Sequence, residues 1–359
     1  MRNTFSTAHG SLPAREGAIV EIQADNGIIG FGDIAPLSEF CSDTLSEALN
    51  ALPDLFRCIR AMSIDEALIF LLRHANKYPS SLVSGIELAL LDIQGKIRSC
   101  CIYQILLERS GQPDTYTARQ RVRVNAVIGA ATLAAAVEEA RVAVSKDFSC
   151  IKLKVVGAGL ASSQTIERVA AVRQAIGPTV HLRLDANEGW SFEQAKTILR
   201  ACEAFDIQYV EQPLSRHDVA GMARLRSVVA IPIANDEAVS DLESARLLMR
   251  SGAADILIVK PQFARGLRMA QQIVIEAMEQ GTQCVLTSAM ESGVGVTGVL
   301  HLAAALPQVT LECGLATLPL LEHDLLTDSL VIDNGWLRVP NGFGLGVEPD
   351  MQALKKYHN

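Results

Sequence analysis

The sequence lacks the features that mark membrane, secreted and nucleic-acid-binding proteins. No uncharged apolar run approaches the roughly 20 residues that a membrane-spanning helix needs, and the first six residues contain no apolar stretch typical of a signal peptide. Basic residues are outnumbered by acidic ones, 32 to 40, and the net charge of -8 argues against nucleic acid or an anionic membrane as the main partner. We therefore expect a cytoplasmic protein that binds neither.

Zinc and disulfide patterns are also missing. Of the eight cysteines, Cys100 and Cys101 are adjacent, whereas Cys150, Cys202 and Cys284 fall in apolar runs, so none has metal-finger spacing. The seven histidines have no ligand-like spacing either, and we interpret them as structural or solvated. A chain of 359 residues with 49% hydrophobic and 20% charged residues is typical of a globular protein of about two domains, with reduced thiols in its core.

Residues 1–120 predict a small α+β domain. Hydropathy alternates on both sides of the turn sequence Asp25-Asn26-Gly27, which predicts a hairpin over residues 17–32. Apolar residues then recur at helical spacing over residues 44–60, 63–75 and 84–97. A hairpin followed by helices is the usual composition of such a domain.

From residue 121 onward, strand and helix patterns alternate. Strands are predicted near residues 124, 152, 183, 209, 233, 257, 286 and 311, the last over residues 309–313. Capping boxes are predicted at Ser191 with Gln194 and at Ser240 with Glu243. Eight βα units indicate an α/β fold, a (β/α)8-type barrel over residues 121–315. Residues 316–359 contain a second hairpin, which we expect to return to the N-terminal segment and complete an α+β capping domain.

Six successive predicted strands each end in a polar residue. In a barrel of this type, side chains at the carboxyl ends of the strands face one cavity, where the active site is expected. Lys152 and Arg183 lie two residues before two of these ends and so share their faces. The six residues, in chain order, are Lys154, Asp185, Glu211, Asp236, Lys260 and Ser288.

The three acids predict a metal site. Asp185, Glu211 and Asp236 on neighbouring strand ends would repel one another, and a divalent cation would remove that repulsion. Because no His or Cys is nearby, the oxygen ligands favour a hard ion, Mg²⁺ first and Mn²⁺ second. A single acid here is equally well explained as a solvated strand end or a helix cap, but three in succession favour the metal.

The two lysines predict proton transfer. Lys154 and Lys260 lie on opposite sides of the acids in strand order, and we expect burial and like charge to lower their pKa values, which makes a lysine usable as a base. The alternative, surface lysines with buried stems, fits poorly with apolar neighbours on both sides. A carboxylate substrate with a removable α proton suits this arrangement, since a metal can bind its carboxylate.

These motifs resemble the enolase superfamily over nearly the whole chain, and a lysine base with Mg²⁺ is a known arrangement there. The chain is similar to the muconate-lactonising branch and, within it, to the o-succinylbenzoate synthase family. The branch-level match rests on residues 152–154, 185–187, 210–213, 234–237 and 259–261. The finer match rests on residues 30–37, 124–126, 287–292, 301–305, 314–317 and 322–325.

The resemblance implies Mg²⁺-dependent syn dehydration of 2-succinyl-6-hydroxy-2,4-cyclohexadiene-1-carboxylate to o-succinylbenzoate, in menaquinone or phylloquinone biosynthesis. It implies that Lys154 abstracts the α proton and later protonates the departing hydroxide, while Lys260 stays cationic beside a metal-stabilised enediolate. It assigns the metal to the three acids, and it places capping loops near His9 and Phe40 over the substrate. Substrate-binding or supporting roles are expected for Lys152, Arg183, Asn187, Glu237, Ser288 and Asn125, with Glu237 next to the metal ligands and Ser288 at the succinyl carboxylate.

Two rival functions stay open at this point. The first is an N-succinylamino acid racemase, which uses the same residues and shares the succinyl group, or another racemase or cycloisomerase of the superfamily. The second is a barrel that has lost catalysis and is a binding or structural protein. Dipeptide epimerases carry an Asp-x-Asp pair on the last strand, where this chain has Glu312-Cys313-Gly314. The chain also departs from its relatives at Gly266-Leu267, where paired glycines are common, and at Asp33, where Glu is usual.

Overall fold

The computed structural model describes residues 1, 5–7, 10–37, 43–109, 117–155 and 161–358. His9 and Phe40, which were expected to lie in loops over the substrate, fall outside these ranges. Within them, no helix has both the length and the apolar character required to span a bilayer.

The strands are β1 Phe5–Thr7, β2 Gly10–Leu12, β3 Ala18–Gln23, β4 Ile29–Ile34, β5 Arg121–Arg123, β6 Ala126–Ile128, β7 Cys150–Lys154, β8 His181–Asp185, β9 Ile207–Glu211, β10 Ile233–Asn235, β11 Ile256–Val259, β12 Gln283–Leu286, β13 Ile332–Asp333 and β14 Trp336–Arg338. The α-helices are α1 Leu45–Ile59, α2 Ile64–His74, α3 Ser80–Arg98, α4 Ile102–Arg109, α5 Leu133–Ser145, α6 Ser162–Ile176, α7 Phe192–Cys202, α8 Val219–Arg226, α9 Leu242–Arg250, α10 Leu267–Glu279, α11 Gly293–Ala305 and α12 Met351–Tyr357.

The predicted N-terminal hairpin is β3 paired antiparallel with β4, and β4 packs closely against α3. Gly30 and Gly32 allow this approach, because a Cβ at either position would overlap the backbone oxygen of Ala89 or Gly85. The helix starts at Ser80, earlier than the apolar spacing predicted, since its first turn is buried and hydrogen-bonded to Asp43.

Seven parallel strands, β6 to β12, form one sheet in sequence order. The predicted eighth strand over residues 309–313 is not regular; instead single bridges join Cys313 to Val124 and Gly314 to Thr287, so this segment contacts both edges of the sheet. The sheet thus curls into the expected (β/α)8-type barrel. The strand predicted near residue 124 is divided between β5 and β6.

The C-terminal hairpin forms, but it pairs with the strand next to the barrel. β14 pairs with β5, and not with the N-terminal hairpin. Residues that follow it do reach the N-terminal helices. The backbone of Leu345 donates a 2.7 Å hydrogen bond to the Asp92 carboxylate, and the carbonyl of Gly344 accepts one of 3.0 Å from the backbone of Ile102. The tail therefore contacts both parts of the chain.

Two helix starts test the capping predictions. The box at Ser191 and Gln194 begins α7 as expected. The box predicted at Ser240 and Glu243 is wrong by one residue: Asp241 caps α9 and Ser244 returns the hydrogen bond. Asp241 accepts a 2.8 Å hydrogen bond from the backbone of Ser244, and its carboxylate suits the positive end of the helix.

Buried polar contacts attach the N-terminal part to the barrel. Glu87 of α3 accepts a 2.7 Å hydrogen bond from Arg268 at the start of α10. The Asp33 carboxylate accepts from the backbone (2.8 Å) and hydroxyl (2.6 Å) of Ser292, and its carbonyl accepts from Gln262 at 2.9 Å. Gln262 and Ser292, the barrel residues that contact Asp33, each follow a strand end that carries a predicted site residue. The attachment therefore lies beside the site.

Candidate active site

The predicted site residues meet at the carboxyl end of the parallel sheet. Lys154, Asp185 and Glu211 end three neighbouring strands and lie side by side in register. Asp236 follows β10, the next strand, and Lys260 follows β11. Asp185, Glu211 and Asp236 are only 0%, 1% and 4% exposed, so their carboxylates are shielded from water.

Lys154 contacts one acid and one amide. Its Nζ donates to Oδ2 of Asp185 at 2.7 Å and to Oδ1 of Asn187 at 2.6 Å. The Asn187 amide also donates to Oε1 of Glu237 at 2.9 Å. Asn187 has a φ of 37°, in the left-handed region that asparagine tolerates better than most residues. This turn of the chain brings the amide back to the lysine.

Lys152 bridges the first two acids. Its Nζ lies 2.9 Å from Oε1 of Glu211 and 3.2 Å from Oδ2 of Asp185. Burial disfavours the charge of this lysine, but Glu211 and Asp185 raise its pKa well above the ordinary value. Lys152 is therefore a fixed positive charge between them.

Lys260 is paired with the third acid. Its Nζ donates to both oxygens of Asp236, at 2.5 and 2.6 Å, and lies 5.3 Å from the centroid of the Phe263 ring. The expected lowering of the lysine pKa is wrong for this residue. Burial lowers the pKa of Lys260, but Asp236 and then Glu237 oppose it, and the net shift is upward. Close carboxylates outweigh desolvation here.

The acids differ in how well they are compensated. Burial raises the pKa of Asp185, but Lys154 and Lys152 overcome it and hold the pKa below its usual range. Burial, followed by the charge of Asp185, raises the pKa of Glu211 well above normal. Burial and Asp236 raise the pKa of Glu237 to about 7. A further positive charge next to Glu211 and Glu237 would favour their ionised forms.

The donor set fits a hard cation by type and position, although it is not arranged as a finished site. Among the described residues, no three His, Cys, Asp or Glu side chains are grouped as metal ligands. Each of the three predicted ligands instead hydrogen-bonds a lysine. Three buried carboxylates on consecutive strands supply only oxygen, as Mg²⁺ requires. Oε2 of Glu237 is also buried without a hydrogen-bond partner. A bound cation would need these oxygens to turn from the lysines.

Ser288 lies at the next strand end and is bound to a residue that the sequence did not single out. Its Oγ lies 2.6 Å from Oγ1 of Thr317 and accepts from the backbone of Met290 at 3.3 Å. Thr317 belonged to the 314–317 motif, but that motif gave no reason to place its hydroxyl at the site. The two hydroxyls form a small polar group next to the strand ends that carry the lysines and acids.

Arg183 and Asn125 lie in a separate network inside the barrel. Arg183 donates to Oδ1 of Asn125 at 3.2 Å, to Gln208 at 2.6 Å and to the Glu312 carboxylate at 2.9 Å. Glu312 in turn contacts His181, which begins β8. These contacts point toward the amino ends of the strands. Glu312 could have been sought from sequence, because a buried arginine in an apolar strand requires an acid partner.

Family models match both parts of the chain. Residues 1–106 match the mandelate racemase / muconate lactonizing enzyme N-terminal domain, and residues 134–353 match the enolase C-terminal domain-like family. The two matches together span most of the chain.

Individual relatives differ in what they do. An o-succinylbenzoate synthase of Thermobifida fusca is 37% identical over 221 residues, 62% of this chain and 67% of that one. An L-Ala-D/L-Glu epimerase of Bacillus subtilis is 28% identical and covers 96% of this chain and 92% of its own. An N-succinyl-L-Arg/Lys racemase of Bacillus cereus is 25% identical over 99% of this chain and 94% of its own.

A solved structure shares the architecture. The dipeptide epimerase of Enterococcus faecalis V583, complexed with Mg and the dipeptide L-Leu-L-Tyr, superposes with a TM-score of 0.87 at 26% identity. The match covers 96% of this chain and 95% of that one. The similar proteins thus include a synthase, epimerases and a racemase, so the reaction has to be argued from this chain's own residues.

Proposed function

This chain belongs to the enolase superfamily, with the N- and C-terminal domains of its mandelate racemase and muconate lactonizing members, and we propose that it is an o-succinylbenzoate synthase. The proposed reaction is the Mg²⁺-dependent syn dehydration of 2-succinyl-6-hydroxy-2,4-cyclohexadiene-1-carboxylate, a step toward menaquinone or phylloquinone. The proposed location is the cytoplasm, which the free thiols of the described cysteines support.

One observation carries the chemistry: Lys154 and Lys260 flank three buried carboxylates on the strands between them. A lysine on each side suits a substrate whose α carbon lies between a base and a stabilising cation. The 37% identity to the T. fusca synthase favours dehydration among the reactions that such a site supports.

Lys154 is the proposed base. After losing its own proton, Nζ takes the α proton of the substrate, and the new ammonium then protonates the departing hydroxide to give water. One group on one face performs both transfers, which accounts for a syn elimination. The 2.6 Å contact with Asn187 orients the Nζ of the proposed base.

Lys260 is the proposed counter-charge. Its upward-shifted pKa keeps it an ammonium at neutral pH. In that form it stabilises the negative charge that develops when the α proton leaves, and it can lie against the face of the forming ring. Its Nζ contacts both oxygens of Asp236, which places it beside one of the proposed cation ligands.

A divalent cation, when bound, would supply Lewis-acid stabilisation of charge on the substrate carboxylate. Asp185, Glu211 and Asp236 would hold it, with Mg²⁺ as the first choice and Mn²⁺ as the second. Lys152 orients two of these acids through its contacts with Asp185 and Glu211. Glu237 acts through Asn187, which it shares with Lys154.

Ser288 is the proposed contact for the succinyl carboxylate, since its hydroxyl and that of Thr317 lie at the strand end beyond Lys260. For Arg183 and Asn125 the contacts support a role in holding the barrel strands together rather than in touching the substrate. Small carboxylates are thus the proposed partners.

Racemisation of N-succinylamino acids is the second candidate. The same pair of lysines favours it, because bases on opposite faces can remove and return an α proton from either side. Dipeptide epimerisation is less well supported, because the Asp-x-Asp pair is missing at residues 312–314. Glu312, the acid at this position, is instead paired with Arg183.

The test is to supply the purified chain with the cyclohexadiene precursor and Mg²⁺, and to follow the absorbance of the aromatic product. We expect turnover that stops with a chelator and returns with Mg²⁺ or Mn²⁺. N-succinylamino acids in D2O provide the comparison, since racemisation introduces deuterium at the α carbon. Deuterium exchange into N-succinylamino acids without dehydration of the precursor would reject the synthase in favour of the racemase. No reaction of either substrate, with or without the metal, would support a non-catalytic barrel.

A further inference from the structure

Gln212 follows Glu211 directly and has a backbone conformation that glutamine rarely adopts. Its φ is 37°, in the left-handed region, where a residue other than Gly costs on the order of 1 kcal/mol or more. Such a conformation persists only where surrounding contacts hold it. The contacts of Gln212 therefore show what its position achieves.

Each polar atom of Gln212 makes at least one hydrogen bond, and the residue is 0% exposed. Its side-chain oxygen accepts from the backbone of Asp236 at 3.0 Å and from that of Ala238 at 3.3 Å. Its amide nitrogen donates to the carbonyl of Leu214 at 3.0 Å. The side chain thus ties the end of β9 to the loop after β10.

The backbone of Gln212 makes two more ties. Its N–H donates to the carbonyl of Ala234 at 2.8 Å, and its carbonyl accepts from the N–H of Glu188 at 2.8 Å. Glu188 lies three residues after Asp185. One residue therefore connects the three strand ends that bear the predicted metal ligands.

These strand ends need an external tether, because the side chains they carry repel one another. Asp185, Glu211 and Asp236 follow or end three neighbouring strands, and all three side chains are buried. Repulsion of this kind would spread the strand ends unless uncharged contacts fixed them. A neutral amide suits the task, since it holds two backbones without adding charge.

We propose that Gln212 is a positioning residue that fixes the spacing of Glu211 and Asp236 and thereby sets the affinity for the divalent cation. The inference rests on the proposed function, because it assumes that these carboxylates bind the ion. Residues that orient metal ligands typically change metal affinity 10–100-fold when altered.

The decisive variant is Gln212→Asn, which keeps an amide and tolerates the left-handed conformation. Its shorter side chain does not reach both N–H groups on the next strand. We expect the Mg²⁺ dissociation constant, measured by titration calorimetry without substrate, to rise about 10-fold or more. Mn²⁺ binding, followed by electron paramagnetic resonance, should weaken in parallel. Gln212→Leu, which removes every side-chain hydrogen bond, should weaken binding further.

The matched control is Gln271→Asn. Gln271 is also buried and hydrogen-bonded, at 2.8 Å to the carbonyl of Leu106, but it joins α10 to α4. The Gln271→Asn substitution should lower the melting temperature with no change in cation affinity. Thermal melts in a chelator separate the effect on folding from the effect on binding.

Each outcome decides between the two roles. A folded Gln212→Asn protein with wild-type cation affinity overturns the proposal, and so does failure of both Gln212 variants to fold, since the role is then structural. A wild-type chain that binds neither Mg²⁺ nor Mn²⁺ overturns the metal site itself. Wild-type binding without dehydration rejects the synthase assignment but leaves the role of Gln212 intact.

Discussion

Two buried charged clusters lie two residues apart on the same strand of the barrel. Toward the amino ends of the strands, Arg183 is 0% exposed and is bound by Glu312, Gln208 and Asn125. At the carboxyl ends, Asp185 belongs to the cluster of lysines and acids. A planar guanidinium with matched acceptors leaves little charge uncompensated, whereas the lysines are point charges among more acids than they neutralise.

The difference shows what each cluster is suited to do. The Arg183 network stabilises the strand arrangement, because an arginine fixed by several acceptors has one favourable geometry. The lysine–acid cluster contains acids with raised pKa values, Glu211 and Glu237, next to the ammonium groups of the lysines. Such perturbed groups are characteristic of sites that bind ions and move protons. We therefore expect substitutions in the Arg183 network to change the stability of the fold, and substitutions in the lysine–acid cluster to change cation binding and the reaction rate.

The largest expected effect is that of Lys154→Ala on the proposed dehydration. Removing a base from the site should reduce kcat by about 10³-fold or more, since general bases contribute 10²–10⁴-fold and this lysine also returns the proton. The absorbance of the aromatic product measures the rate, and circular dichroism checks the fold. A wild-type rate would remove Lys154 from the reaction.

The next effect belongs to the other cluster. Glu312→Gln keeps the shape of the side chain but leaves the buried Arg183 charge without its carboxylate. We expect the free energy of unfolding, from urea denaturation, to fall by about 3–5 kcal/mol. Activity of the folded fraction should stay close to that of the wild type.

The control removes the charge altogether. Glu312→Gln combined with Arg183→Met should regain much of the lost stability, because no uncompensated ion is then buried. If Glu312→Gln abolished turnover at unchanged stability, the division between the two clusters would be wrong.

Much of the site order could be predicted from sequence. Alternating hydropathy indicates which residues share a strand face, and parallel pairing makes successive strands neighbours. The two patterns together predict that the five strand-end residues lie next to one another, namely Lys154, Asp185, Glu211, Asp236 and Lys260. The structure confirms this barrel order. The roles of these residues in the reaction stay predictions.

Other features had no local pattern. Glu312 is 129 residues from Arg183 in the chain, so their pairing depends on how the barrel closes. The segment around it forms bridges and not a regular strand, against the apolar run that predicted one. The direction of the Lys260 pKa depends on the distance of its Nζ from the Asp236 oxygens, which only side-chain geometry determines.

Within the carboxyl-end cluster, Asp236→Asn should act on the cation. The variant keeps the shape of the ligand and removes one negative charge. We expect Mg²⁺ affinity to fall about 100-fold or more in calorimetric titration, since residues that only support a ligand already change metal affinity about 10–100-fold. Glu237→Gln is the matched control, since its contact runs through Asn187, and a smaller loss is expected. Equal losses, or none, would reassign the ligands.

The smallest effect concerns Glu291, a buried acid outside both clusters. Its Oε2 accepts from the backbone of Ala289 at 2.7 Å, and burial raises its pKa to about 7. Because this pKa lies above the value near 4.5 expected for the unfolded chain, folding binds the proton. Stability due to this group is therefore full below about pH 4.5 and is lost as the pH rises to about 7.

Glu291→Gln removes the titration but retains an oxygen for the backbone contact. We expect it to stabilise the protein by about 1–3 kcal/mol at pH 8 and to have little effect at pH 4.5, since each pKa unit corresponds to about 1.4 kcal/mol. Melting temperatures of both proteins across this range measure the difference. A difference in melting temperature that does not change with pH would mean that Arg15, whose charge favours ionisation of Glu291, cancels the effect of burial on the pKa of Glu291. Glu291 would then resemble the matched network around Arg183 rather than the underneutralised acids of the site.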